Sequence, residues 1–135
     1  MVTFNNRVTL TQDFTTSADL LVNHLSNVEA RGTTALYDAA YFGVQKLKEG
    51  RHPKKVLLLI SDGDNNTSRR TYNDLCELVQ ESDIQIYAIG VASPIGSLFP
   101  SPGQITLNRI TKMAGGRAFF TNPSKEDELL EICAR

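Results

Sequence analysis

Five aliphatic residues in a row, Val56 to Ile60, are followed at once by the polar sequence Ser-Asp-Gly-Asp-Asn-Asn over residues 61–66. A run without polar alternation is typical of a strand that is buried on both faces, as in a parallel sheet flanked by helices. Ligands of such sheets bind just beyond the carboxyl ends of the strands. The sequence therefore predicts a buried parallel strand that delivers Asp62 to the ligand-binding edge of a sheet.

Strand-like and helix-like patterns alternate along the rest of the chain. Strands are predicted over residues 2–4, 8–11, 84–92 and 117–121, the first two forming a hairpin around Asn5 and Asn6. Helices are predicted from the capping patterns of residues 16–19, 71–74 and 124–127, over residues 35–48, and around Leu107, Ile110 and Ala114. This order predicts an α/β fold, with a mostly parallel sheet, an antiparallel edge hairpin and helices on both faces.

Three local features add detail to this plan. The first helix carries an apolar stripe made of Leu20, Leu21, Leu25 and Val28, and the helix after the apolar strand is expected to bury Tyr72, Leu75, Cys76 and Val79. The segment 93–104 is rich in proline, glycine and serine, which predicts a long loop. That loop leaves the same sheet edge as Asp62, so we expect it to contribute to partner contact.

Composition excludes several classes of protein. The chain has 135 residues, of which 41% are hydrophobic and 21% are charged, and this composition predicts one globular domain over residues 1–135. The net charge is -1, which predicts no nucleic-acid partner. Its longest apolar run is far shorter than the ~20 residues of a membrane span, and its start lacks a signal-peptide pattern, so we expect no membrane insertion by this segment. Cys76 and Cys133 lack metal-ligand spacing and are expected to stay reduced.

Two polar segments could carry chemistry. Asp62 and Asp64 sit among further side-chain oxygens at the predicted strand end, and Mg²⁺ prefers such oxygen ligands. A plain polar turn would explain the same residues. Thr33 and Thr34 precede a predicted helix, where a hydroxyl could cap the free N–H groups, or Thr34 could face the same crevice as Asp62. The residues alone leave both pairs of alternatives open.

Catalytic motifs are absent from the sequence: there is no nucleophile elbow, no phosphate-binding loop and no dinucleotide fingerprint. Ser61 and Asp62 are neighbours, so on a strand they would point to opposite faces and could not act as a dyad. The chain is therefore expected not to be an enzyme. Two alternatives remain, a magnesium-dependent Rossmann-like hydrolase using Asp62 and Asp64, and a structural fragment that binds no metal.

Three segments in register along nearly the whole chain resemble a von Willebrand factor type A domain of the bacterial branch. They are Gly-Thr-Thr-Ala-Leu-Tyr-Asp-Ala at 32–39, Leu-Leu-Ile-Ser-Asp-Gly-Asp-Asn at 58–65 and Ile-Tyr-Ala-Ile-Gly at 86–90. The resemblance implies a Rossmann-like fold and a protein-binding or adhesion module with a metal-ion-dependent adhesion site. It implies Mg²⁺, or Mn²⁺ or Ca²⁺, bound by Thr34 and Asp62, with Asp64 acting through water and an acidic residue of a protein partner completing the shell.

The chain departs from that family at one point, because the first metal-binding motif, Asp-x-Ser-x-Ser, occurs nowhere in it. The resemblance therefore implies an N-terminally truncated domain without its first strand, first loop and first helix, and only weak metal binding. In the family the missing strand lies between the hairpin and the strand at 56–61, so two edges would be unpaired and open to strand-exchanged self-association. The resemblance slightly favours an exported location, although this chain shows no signal sequence.

Overall fold

The computed structural model describes residues 1–28, 33–91 and 99–121, and these form two sheets and four helices. The strands are β1 (Val2–Phe4), β2 (Val8–Leu10), β3 (Lys55–Ile60), β4 (Ile84–Val91) and β5 (Ala118–Thr121). β1 and β2 pair antiparallel, while the second sheet is parallel in the order β3-β4-β5. The predicted α/β fold is confirmed, and the hairpin forms a sheet of its own.

The four helices are α1 (Ala18–Ser26), α2 (Leu36–Lys48), α3 (Tyr72–Gln80) and α4 (Pro102–Met113). The predicted cap of α3 is confirmed: Thr71 Oγ1 accepts from the Asp74 N–H at 3.2 Å, and Asp74 Oδ2 accepts from the Thr71 N–H at 2.7 Å. The bond from the Thr71 N–H lowers the pKa of Asp74, because it stabilises the carboxylate. None of the helices within the described ranges has the length and hydropathy to cross a bilayer.

Two helix starts differ from the prediction. The cap of α1 is Ser17 rather than Thr16, since Ser17 Oγ accepts from the Leu20 N–H at 3.4 Å. Helix α4 begins at Pro102, so the predicted loop 93–104 extends too far. Proline is well suited to the first turn of a helix, where its missing N–H is not needed. Residues 92–98 and the helix predicted from 124 lie outside the described residues.

The buried side of α3 is also partly different from the prediction. Leu75 and Val79 are buried as expected, but the third buried residue is Leu78. Tyr72 and Cys76 are only half-buried, and the Cys76 thiol is free. Leu75, Leu78 and Val79 follow a spacing of three and four residues, so the inward stripe is rotated by about one position from the predicted one.

Helices α2, α3 and α4 form one layer on the parallel sheet. Gly43 of α2 lies against Leu57 of β3, where an added Cβ would come within 2.9 Å of a leucine methyl. Gly90 of β4 lies in the same way against Leu107 of α4. The strand register places Leu57 and Gly90 on the same face. The largest fully buried side chains are Leu36, Val44, Leu75, Ile86, Leu107, Ile110 and Thr111.

Tyr72 of α3 connects its two neighbouring helices. Its ring meets the Tyr37 ring of α2 edge to face, with 6.2 Å between the centroids. On the other side the Arg109 guanidinium of α4 lies 3.9 Å from the Tyr72 ring centroid, a cation–π contact. Burial, and after it the Cys76 thiol, raises the pKa of the Tyr72 hydroxyl. The Tyr72 side chain of α3 therefore contacts both other helices of the layer.

The opposite face of β3 is open, so the prediction that this strand is buried on both faces is wrong. Leu59 is 4% exposed, whereas Val56, Leu58 and Ile60 are 50%, 53% and 55% exposed. The physical reason is that no described element covers the second face of β3. The continuous apolar run did not reveal that burial alternates along β3.

Helix α1 buries none of its residues. Its apolar side chains are exposed by 37% to 58% and comprise Leu20, Leu21, Val22 and Leu25, and Val28 just after the helix is 47% exposed. Such a helix is not held by core packing within the described structure. Its apolar side instead borders the same cavity as β1 and β3, which is described below.

Candidate functional site

The loop after β3 presents two exposed carboxylates at the carboxyl end of the strand, as predicted. Asp62 Oδ1 accepts from the Asp64 N–H at 3.0 Å, and Ser61 Oγ accepts from the Gly63 N–H at 3.1 Å. Ser61 Oγ also lies 3.4 Å from Asp62 Oδ1. The expectation that these two side chains point apart is wrong, because β3 ends at Ile60 and strand alternation no longer applies.

Two glycines bring this loop against the start of α4. Gly63 has a φ of +87°, and a Cβ built on it would lie 2.1 Å from the Gly103 carbonyl oxygen. A Cβ on Gly103 would lie 2.1 Å from the Asp62 carbonyl oxygen. The backbones therefore meet where no side chain fits. The same contact places the first turn of α4 against the acidic loop.

Other oxygens of the loop serve helix α2 instead of a ligand. The Tyr37 N–H donates to Ser68 Oγ at 3.0 Å and to Asn65 Oδ1 at 3.2 Å, and the Asp38 N–H donates to Ser68 Oγ at 3.2 Å. The first free N–H groups of α2 are thus capped by side chains from about 30 positions further along the chain. Sequence patterns within the helix could not show this.

A side chain of α2 also binds the backbone of this loop. The Asp38 carboxylate accepts from the Arg69 N–H at 3.0 Å and from the Arg70 N–H at 2.7 Å. The loop caps the helix, and an acid in the first turn of the helix binds the loop backbone. This reciprocal set of bonds fixes the loop after β3 to the start of α2.

Replacing Ser68 by alanine should lower the free energy of unfolding by about 1–2 kcal/mol, the upper range for a lost helix cap. The Asp38 N–H loses its side-chain acceptor, and the Tyr37 N–H keeps only the bond to Asn65 Oδ1. Urea unfolding followed by circular dichroism measures the change. The matched control is Thr67→Ala in the neighbouring exposed residue, whose contact with Thr34 is made by the backbone N–H. Equal losses for the two variants would contradict the capping role.

Thr34 lies where the two loops join. Its carbonyl oxygen accepts from the Asn66 N–H at 2.9 Å and from the Thr67 N–H at 3.2 Å. The N-cap of α2 is Ala35, with no side-chain cap bond, so the capping interpretation of Thr33 and Thr34 is wrong. The half-buried Thr34 hydroxyl is therefore not committed to the helix start.

Thr34 and Asp62 line one cavity of about 710 Å³, and Thr33 and Ser61 line it with them. Asp64 is exposed and does not line this cavity. Within residues 1–28, 33–91 and 99–121, no group of three or more His, Cys, Asp or Glu residues could hold a metal ion. Of the oxygen-bearing side chains in this lining, the two predicted as cation ligands are the Thr34 hydroxyl and the Asp62 carboxylate.

This donor set fits a hard divalent cation in kind but supplies few ligands. Mg²⁺ takes oxygen ligands in octahedral geometry and often keeps several waters beside one or two carboxylates. Asp62 and Thr34 offer oxygens of that type, and Asp62 Oδ1 already accepts a backbone bond. The site therefore suits a cation whose shell is completed largely by water or by a partner.

Comparison with known proteins identifies the family of this chain. Residues 1–134 match the von Willebrand factor type A domain. The chain belongs to the von Willebrand factor type A family. Domains of this family are generally non-enzymatic modules for protein interaction or adhesion, and many bind a divalent metal. No curated protein matches the sequence.

Two solved bacterial structures share the von Willebrand A fold of this chain. An aerotolerance-related membrane protein from Bacteroides fragilis superposes with a TM-score of 0.73 and 16% identity, covering 96% of this chain and 74% of that one. The conserved hypothetical protein BatB from Bacteroides thetaiotaomicron gives a TM-score of 0.71 and 13% identity, covering 99% and 74%. Likeness at this level of identity concerns the fold alone.

Proposed function

We propose that this chain is a non-enzymatic protein-binding module that contacts its partner through a divalent cation held by Thr34 and Asp62. The observation that carries the proposal is that two separate loops bring these side chains to the same cavity. The loops are joined by the bonds from Asn66 and Thr67 to the Thr34 carbonyl oxygen, so the arrangement does not depend on either loop alone.

The cation is Mg²⁺, with Mn²⁺ and Ca²⁺ as alternatives of similar oxygen preference. Asp64 lies outside the cavity lining and would act through a bound water. With one carboxylate and one hydroxyl, the protein leaves most of the coordination shell free. Binding is therefore weak in the absence of a partner, and an acidic residue of the partner supplies the missing charge.

Magnesium titration followed by ¹⁵N NMR tests the site. We expect chemical-shift changes at Thr34 and Asp62, and a loss of affinity on the order of tenfold or more in Asp62→Asn and in Thr34→Val, because loss of even a supporting residue costs that much in metal sites. Asp83→Asn is the control, since this exposed acid directly precedes β4 and lies at the opposite sheet edge. An absence of shifts at high Mg²⁺ would overturn the cation proposal.

Two further expectations stay predictions. Strand-exchanged self-association is tested by sedimentation over a range of protein concentrations. An exported location is not established by the neighbours, although the Bacteroides fragilis protein is described as a membrane protein.

A further inference from the structure

Three tyrosine rings and two arginine side chains form a row across the helix layer. The Arg70 guanidinium carbon lies 4.4 Å from the Tyr41 ring centroid, and that of Arg109 lies 3.9 Å from the Tyr72 ring centroid. Tyr37 connects the two pairs. Its ring meets the Tyr72 ring edge to face at 6.2 Å, and it stands one helical turn before Tyr41 on α2. We call these five residues the arginine–tyrosine row.

The arginine–tyrosine row is accessible from solvent. Its two arginines are exposed and its three tyrosines are half-buried. None of the five residues lines the cavity beside Thr34 and Asp62. The row is therefore a second surface, separate from the candidate cation site.

Both guanidiniums lack a carboxylate partner in the described part of the chain. The ion pairs found there are those of Lys46, which lies 3.3 Å from Asp13 and 2.7 Å from Glu49. Arg70 and Arg109 contact aromatic rings instead. Their positive charge is thus not neutralised by an acidic side chain of residues 1–28, 33–91 or 99–121.

Acidic side chains close to Arg70 bind backbone groups. The Asp38 carboxylate accepts from the Arg70 N–H at 2.7 Å. The Asp74 carboxylate accepts from the N–H and the hydroxyl of Thr71, at 2.7 and 2.9 Å. At the other end of the row, helix α4 contains Arg109 and Lys112 and no acidic residue. Both ends of the row therefore present an excess of positive charge.

The tyrosine rings hold the guanidiniums in place without using up their donors. A guanidinium is planar, and its N–H groups point outward in that plane. An aromatic ring against the flat face therefore leaves N–H groups at the edge, where a carboxylate can accept two parallel bonds. Tyrosine and arginine are also the residue types enriched among the side chains that dominate binding at protein interfaces. The row thus has the chemistry of a preorganised site for carboxylates.

We propose that the arginine–tyrosine row binds an acidic segment of a partner polypeptide, whose carboxylates pair with the guanidiniums of Arg70 and Arg109 and whose chain packs on the tyrosine rings. Single-stranded nucleic acid fits less well, because its bases need open aromatic faces and a guanidinium already covers one face of Tyr41 and of Tyr72. A free phosphate would use the guanidiniums and leave the rings without a contact.

Titration with an acidic peptide, followed by NMR of the arginine side-chain Nε–H signals, tests the proposal. The probe is a twelve-residue peptide of alternating glutamate and serine, which has all its carboxylates on one side when extended. The control peptide has glutamine in place of each glutamate. Both titrations are carried out in EDTA, because the proposal does not rest on the cation, and at low salt, because salt screens exposed charges.

We expect the acidic peptide to shift the signals of Arg70 and Arg109 and to leave the signal of Arg51 unchanged. Arg51 is the internal control, since it is exposed in a basic segment but stacks on no ring of the described residues. The glutamine peptide should shift none of the three. An equal shift at Arg51, equal shifts with the glutamine peptide, or no shift at all would overturn the proposal.

Variants of Arg109 separate the shape of the guanidinium from its charge. Arg109→Gln should weaken binding of the acidic peptide about tenfold, the effect of losing one charge-assisted pair, whereas Arg51→Gln should weaken it less than about twofold. Arg109→Lys keeps the charge but loses the planar donors, so it should retain little more affinity than Arg109→Gln. If lysine binds as well as arginine, the row acts only as positive charge and the proposal is wrong. If an Arg109 variant does not fold by circular dichroism, Arg70→Gln and Arg70→Lys make the same comparison.

Further measurements identify a different occupant. Inorganic phosphate and a single strand of twelve thymidine nucleotides are titrated under the same conditions. If either binds the arginine–tyrosine row more tightly than the acidic peptide does, the proposal is overturned in favour of that ligand. Sedimentation of the chain alone tests a second copy: a dimer that is lost in Arg109→Gln would overturn the proposal in favour of self-association.

Discussion

Replacing Gly63 by alanine should destabilise the fold by about 2–5 kcal/mol. About 1–2 kcal/mol comes from holding a residue with a Cβ at positive φ, and about 1–3 kcal/mol from forcing apart closely packed groups. The new Cβ would meet the Gly103 carbonyl group at 2.1 Å, and this is backbone that cannot rotate away. Urea unfolding followed by circular dichroism gives the change in free energy.

Gly115→Ala separates the two contributions. Gly115 also has a positive φ, of +70°, but nothing lies within 4 Å of an added Cβ. We expect this control to lose only the conformational part, about 1–2 kcal/mol. If Gly63→Ala loses no more than Gly115→Ala, the contact between the β3 loop and α4 is not a constraint on the fold.

Truncating Leu107 to alanine is the second large change, with an expected loss of about 2–5 kcal/mol. Leu107 is fully buried and packs on Gly90 of β4, so truncation removes apolar contact and leaves a cavity at the centre of the helix layer. Because whole domains are stable by only about 5–15 kcal/mol, a loss of this size is readily measured as a shift of the urea midpoint.

Ile105→Ala on the same helix is the control. Ile105 is 54% exposed, so its truncation should change the unfolding free energy by less than about 1 kcal/mol. Both variants remove apolar atoms from α4, and they differ mainly in burial. Similar losses in the two would mean that Leu107 does not anchor α4 to the sheet.

Local signals in the sequence were sufficient where a structural element depends on its own residues. The cap of α3 by Thr71 and Asp74 uses residues three positions apart, and it formed as predicted. The start of α4 is equally local: Ser101 and Gln104 cap each other, and Pro102 stands at the first helical position. It was missed because the breaker residues before it were given more weight than this capping pattern.

Other features depend on distant residues and could not be predicted locally. The cap of α2 comes from Asn65 and Ser68, so the helix start itself showed only two threonines, for which capping was one of two open alternatives. The exposure of Leu58 depends on which elements cover β3, and an apolar run does not contain that information. Alternation of burial is a property of the assembled layers.

The candidate site shows the same division. The place of Asp62 at the end of β3 follows from strand topology and was predicted. The presence of Thr34 on the same cavity depends on how α2 lies beside the β3 loop, and general rules for parallel sheets predicted their shared edge. Asn65 and Ser68 accept hydrogen bonds from α2, so fewer loop oxygens are free to bind a cation. Only the structure reveals this.

The side chain of Tyr72 has a mechanical consequence for this edge of the molecule. Helix α2 starts next to Thr34, helix α4 starts against the Asp62 loop, and Tyr72 contacts both helices through Tyr37 and Arg109. Separating the two loops by displacing these helices would break the contacts of the Tyr72 ring with Tyr37 and Arg109. A change of spacing at the binding edge is therefore a concerted displacement of three helices.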